Sequence, residues 1–88
     1  MTFEYDENKS SSNREKHGID FEEAQKLFEE NNTFIQRAKT IDFEDRYMII
    51  GMLNEKCYIV VFTFRGANIR LISARRCNKN EKKRIAHD

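Results

Sequence analysis

Two kinds of apolar spacing divide the chain. In the first third, Phe21, Ala24, Leu27 and Phe28 recur at helical spacing. From residue 33 onward the pattern changes to short β-branched and aromatic runs, over residues 33–37, 46–53, 57–65 and 68–75, which predict strands. Both parities of residues 58–64 are apolar, which marks a central strand covered on both faces. Ahead of these, Phe3 to Tyr5 alternates and predicts a short first strand. Asp6 suits the N-cap of a helix reaching about His17, and Gly18 suits the left-handed residue that ends it. That helix is almost wholly polar, so periodicity gives it no face to bury.

Local signals set the remaining boundaries. Asp20 and Glu23 have the spacing of a capping box, with Ile19 and Ala24 in the staple positions, and the polar run Glu29-Glu30-Asn31-Asn32 closes the second helix. Residues 42–45 predict a charged loop, Asn54-Glu55 a short turn, and Gly66-Ala67 a two-residue type II′ hairpin loop. Asn78 and Glu81 repeat the capping pattern and predict a last helix from Asn78 to about Ala86. The order is β-α-α-β-β-β-β-α. It predicts an α+β fold: a twisted, largely antiparallel sheet with two N-terminal helices on one face and a basic C-terminal helix. Eighty-eight residues are expected to form one domain over residues 1–88.

The Gly66-Ala67 loop fixes a register. Arg65 then faces Asn68, Thr63 faces Arg70, Val61 faces Ile72 and Ile59 faces Ala74. One face carries Phe64, Phe62, Val60, Ile69 and Leu71 and is assigned to the core. The other carries Arg65, Thr63, Arg70 and Asn68, a surface suited to phosphate. The competing reading pairs these arginines with carboxylates.

Charge sharpens that choice. Residues 1–64 hold 8 Lys/Arg against 13 Asp/Glu, a net −5, whereas residues 65–88 hold 8 against 2, a net +6. A basic quarter on an acidic body fits an anionic partner, nucleic acid or an acidic protein surface, or a solvated basic helix. Arg75 and Arg76 lead into that last helix with Lys79, Lys82, Lys83 and Arg84, and the helix N-terminus would add N–H donors for an anion. Lys9, Asn13 and His17 form one polar stripe on the first helix, beside Lys16. His17 suits proton transfer near neutral pH, or a cap on a helix carbonyl.

Other chemistries find little support. The apolar runs fall far short of the roughly 20 residues of a membrane span. The acidic start lacks the apolar stretch of a signal peptide, so the cytoplasm is expected. Cys57 and Cys77 have no metal or redox spacing and are expected to be small hydrophobes near the sheet, not a disulfide. There is no phosphate-binding glycine loop, and neither metal nor cofactor is expected.

Longer motifs carry a family likeness. Phe3-Glu4-Tyr5-Asp6-Glu7-Asn8-Lys9, Asn13, Lys16-His17-Gly18-Ile19 and Phe21-Glu22-Glu23-Ala24 make up one signature. Arg46, Ile50-Gly51, Thr63, Arg65-Gly66, Arg70-Leu71-Ile72-Ser73-Ala74-Arg75 and Glu81 make up a second. Together they resemble the BrnT toxins of type II toxin–antitoxin pairs. The resemblance implies a RelE-like ribonuclease fold and metal-independent RNA cleavage that inhibits translation. It also implies a BrnA-like ribbon-helix-helix antitoxin as partner, with DNA reached only through that partner. On this reading Arg65 and Arg75 grip the phosphate, His17 and Lys16 are candidates for proton transfer, and Arg70, Arg76, Lys79, Lys82, Lys83 and Arg84 hold flanking RNA. Where many members have a tyrosine after the last-helix glutamate, this chain has Arg84 and Ile85. The alternative function is a non-catalytic module that binds antitoxin or RNA.

Overall fold

The computed structural model describes residues 2–85. Its elements are β1 (Thr2–Glu4), α1 (Glu7–His17), α2 (Phe21–Ala24), a 3-10 turn (Gln25–Glu29), β2 (Thr33–Ile41), β3 (Glu44–Leu53), β4 (Lys56–Arg65), β5 (Asn68–Arg76) and α3 (Lys79–Lys83). This is an α+β fold around a five-stranded mixed sheet of order β1-β5-β4-β3-β2. β1 runs parallel to β5, and the other three pairings are antiparallel.

Capping explains the helix starts. Asp6 accepts from the backbone N–H groups of Asn8 and Lys9, and Gly18 ends α1 at φ 74°. The Asp20 side chain accepts from Glu23 N. Phe21, Ala24 and Leu27 are fully buried against Ile49, Val60, Phe62, Ile69, Leu71 and Ala74. A Cβ at Gly51 would lie 2.8 Å from a Thr33 methyl and 2.9 Å from a Leu27 methyl, so glycine lets the 3-10 turn settle on β3. The second helix is shorter than its stripe predicts, because after Ala24 the chain tightens into the 3-10 turn.

α1 is held by polar groups. β1 covers β5 only from Asn68 to Arg70, which leaves the later edge of β5 for α1. The Asn13 side chain, 8% exposed, fills it as a strand would. Its Nδ2 donates to Ala74 O and to Ile19 O, both at 2.8 Å, and its Oδ1 accepts from Ala74 N at 3.2 Å. Ser10 Oγ accepts from Phe21 N at 2.9 Å.

Several expectations need correction. The register holds from Arg65↔Asn68 to Phe62↔Leu71, but then Val61 faces Ser73 and Val60 faces Ala74. Ile72 is an extra bulged residue, and every later residue of β5 moves one place. Ile59 therefore faces Arg75 instead of Ala74. The same shift sets Cys77 beside Cys57, with Cα atoms 5.4 Å apart, and the two are joined as a disulfide. Their spacing in the sequence hides a pairing that depends on the bulge. Phe64, assigned to the core, is 56% exposed because it lies beyond the helices at the end of the sheet. The loop over 42–45 is instead a two-residue turn, with Asp42 and Phe43 at φ 51° and 63°. Asp45 extends the ladder past that region by bonding Arg37 and Thr40 of β2. α3 ends at Lys83; the rest of the expected helix reaches Ala86, outside the described residues.

Candidate functional site

The bulge decides what the second face of the sheet presents. Counting from the β4–β5 ladder, Thr63, Arg70 and Arg75 share the face opposite α2, with Arg65 at its end. Arg76 turns to the helix face, where its guanidinium lies 5.8 Å from the Tyr58 ring centre. On β3 the ladder runs to Tyr47↔Phe62, and one further step sets Arg46 beside Thr63. The second face thus carries Arg46, Arg65, Arg70 and Arg75. Its other end is apolar: Ile50, Cys57, Ile59 and Ile85 form a small cluster, with Met48, Met52 and Cys77 against it.

Carboxylates meet most of these arginines. Arg65 Nε donates to Glu44 Oε2 at 3.1 Å. Arg70 donates to Glu4 Oε1 at 3.2 Å, and Asn68 donates to the other Glu4 oxygen at 3.0 Å. The Asn68 and Arg70 bonds hold the Glu4 carboxyl below its ordinary pKa. Arg75 forks onto Glu81, with bonds of 2.8 and 2.7 Å. That fork depresses Glu81 and raises Arg75 further. Glu81 also closes the capping box with Asn78. The expected anion site at the last helix N-terminus is therefore occupied by the protein's own carboxylate, on a helix of one turn and a half. Arg46 is the exception: its Nε lies 3.9 Å from Glu44 Oε1, and that buried nitrogen has no hydrogen-bond partner among the described residues.

A second group of cations gathers at the β5 edge. Lys9, Ser12, Asn13, Lys16 and His17 of α1 line a pocket with Ile72 and Ser73 at the bulge. The helical stripe expected for Lys9, Asn13 and His17 is thus directed at β5. Ser73 faces Val61, so it belongs to the arginine face. The edge pocket and that face meet at Ser73.

The other basic candidates lie apart. Lys79, Lys82 and Lys83 are exposed on α3. Arg84 donates to Gln36 Oε1 at 2.6 Å, and its guanidinium sits 5.5 Å from the Phe34 ring centre. Ile85 is buried. Arg14 pairs with Asp20 and Glu23 on the exposed side of α1. Sequence reasoning passed over Glu4, Glu44 and Glu81 as partners, and gave Arg46 no role of its own.

Among the described residues, no helix is long and apolar enough to cross a membrane. A family model described as the ribonuclease toxin BrnT of type II toxin–antitoxin systems matches residues 5–81. No curated protein matches the chain.

Proposed function

The chain belongs to the BrnT family of ribonuclease toxins, and from that premise we propose that it is a RelE-like RNA endonuclease that cuts without a metal. The observation that carries this reading is the meeting of an arginine face with a Lys16–His17 pocket at Ser73. In the proposed reaction the RNA 2′-oxygen attacks the adjacent phosphorus and the bond to the 5′-oxygen breaks. The products are a 2′,3′-cyclic phosphate and a 5′-hydroxyl. One group accepts the 2′-hydroxyl proton and another delivers a proton to the leaving oxygen; His17 and Lys16 are the candidates. Arg65 and Arg75 grip the phosphate and stabilise charge on its oxygens in the transition state. Arg70, Arg76, Lys79, Lys82, Lys83 and Arg84 hold flanking phosphates.

A BrnA-like ribbon-helix-helix antitoxin is the proposed partner, reaching DNA itself, and the cytoplasm the proposed site of action, where loss of RNA stops translation. In the free protein Glu44, Glu4 and Glu81 occupy Arg65, Arg70 and Arg75, so RNA phosphate must displace carboxylate. That feature favours the second reading, a fold that binds without cutting. Expression in bacteria separates the two. The toxin reading expects growth arrest that a co-expressed antitoxin relieves. It also expects about a hundredfold less cleavage from folded Arg65→Ala and Arg75→Ala, with Arg14→Ala near wild type. Unhindered growth at high soluble expression sinks the toxin reading. Full activity in both arginine variants sinks the residue assignment.

A further inference from the structure

Among the described residues, the second face of the sheet holds four arginines, at 46, 65, 70 and 75, against three glutamates, at 4, 44 and 81. Glu4 and Glu81 are each engaged by one arginine, and Glu44 directs Oε2 to Arg65 at 3.1 Å. The surplus cation is Arg46. Its Nε is buried without a hydrogen bond, and its contact with Glu44 is 3.9 Å, beyond hydrogen-bond reach. Its side chain is still 27% exposed, so part of it borders solvent.

A buried, charged donor without a protein acceptor lowers stability. Where it rests, Arg46 Nε gains no hydrogen bond, so it loses none on turning outward to a ligand. It gives up only the 3.9 Å contact with Glu44, whereas Arg65, Arg70 and Arg75 must each break a hydrogen-bonded ion pair.

We infer that Arg46 is a phosphate-binding residue of the RNA site, taking a phosphodiester oxyanion on the second face beside Thr63. The proposal rests on the RNA-cleavage reading above and adds a residue to it. A phosphodiester suits this place better than a protein carboxylate, because the neighbouring cations extend in two directions. Arg70 lies two strands away, across Thr63, and the Lys9–Lys16–His17 pocket lies beyond Ser73. A polyanion with charges at regular intervals engages such a surface at several points. Thr63 does not compete for the ligand, since its hydroxyl donates to Asp45 O at 2.7 Å and ties β3 to β4.

The test pairs stability with function, because a structural arginine and a ligand-binding one move them in opposite ways. Arg46→Met keeps the length of the side chain and removes the unpaired donor. Its melting temperature should equal or exceed that of the wild type. Its cleavage of single-stranded RNA should fall about a hundredfold. Binding of a 2′-O-methylated single-stranded RNA should weaken, and the slope of log Kd against log salt should shrink by about 0.7. Arg46→Lys should restore that slope and only part of the cleavage, since it keeps the charge and loses the fork. Arg75→Met, by contrast, should lower the melting temperature, because it leaves Glu81 unpaired.

Wild-type cleavage and salt slope in a folded Arg46→Met overturn the proposal. So does a variant that cuts normally but no longer binds antitoxin, which would assign Arg46 to a partner's carboxylate. A wild-type protein that never cleaves RNA refutes the underlying reading instead, and the salt slope still decides whether Arg46 meets phosphate.

Discussion

Replacing Asn13 with alanine should loosen the first helix from the sheet and take much of the chain's stability with it. The side chain makes three buried hydrogen bonds, two to Ala74 and one to Ile19. Each is worth about 1 kcal/mol net, and a backbone group left buried without a partner costs about 1–3 kcal/mol. Solvent at the sheet edge will reach some of the three groups exposed by the deletion. The expected loss is therefore about 2–4 kcal/mol, bracketed by three net bonds and partial resolvation. A chain of this length has roughly 4–13 kcal/mol in total, so the fraction is large. Asn13→Asp should cost at least as much, because it replaces the amide donor with a carboxylate facing two carbonyl oxygens. Urea unfolding followed by far-ultraviolet circular dichroism reads the loss directly. Amide exchange at Ala74 reads the same contact locally, and its protection should drop first. If Asn13→Ala costs less than about 0.5 kcal/mol, the lower end of a single bond's worth, polar pinning is not what holds α1. The position of Lys9, Lys16 and His17 beside Ser73 would then need another cause.

Three further outcomes follow from other contacts. Phe43 is fully exposed at φ 63°, a strained conformation for a bulky residue. Phe43→Gly gives the Asp-Gly pair that tight hairpin turns favour and should raise stability by about 0.5–1 kcal/mol; a fall in the urea midpoint would contradict the turn geometry. Glu81 is held below its ordinary pKa by Arg75, Glu4 by Asn68 and Arg70, and Asp45 by Arg37. Carboxyls depressed in the folded state stabilise fully above their unfolded pKa of about 4 and progressively less as pH falls through the folded values. Melting temperature should therefore drop on acidification below about pH 5, with a shallower drop in Glu81→Gln; a rise on acidification would reverse the sign. The disulfide between Cys57 and Cys77 spans 20 residues, so reductant should lower stability by about 3 kcal/mol, and a Cys57→Ser, Cys77→Ser double variant should be insensitive to it.

The features written in local sequence were legible. Capping residues Asp6, Asp20 and Asn78, the left-handed Gly18 and the Gly66 loop each work through contacts only a few residues apart. The helical stripe Phe21, Ala24, Leu27 identified its buried face for the same reason. What failed to show was a single bulge. Ile72 looks like any other apolar residue of a strand, yet it decides that Arg75 shares a face with Arg70. It also decides that Cys77 meets Cys57. A one-residue change of register moves every later side chain to the other face, and no local pattern marks it. The ion pairs were obscure for a related reason: Glu4 and Arg70 lie 66 positions apart and meet only because β1 pairs in parallel with β5. The Arg65 and Arg70 alternatives, phosphate or carboxylate, were both visible, but their partners were not. Asn13 reads only as one member of a polar stripe on the first helix, since a side chain that completes a sheet edge has no signature of its own.

The most direct test is the chemistry of the RNA ends. Purified protein, shown to be folded, is incubated with single-stranded RNA in the presence of EDTA, and the fragments are analysed by mass spectrometry. Cleavage by the RNA's own 2′-hydroxyl at a cationic site predicts fragments ending in 2′,3′-cyclic phosphate, with new 5′-hydroxyls, and their loss in Arg46→Met and Arg75→Ala. Intact RNA at high enzyme concentration, or fragments with 5′-phosphate and 3′-hydroxyl ends, would contradict it.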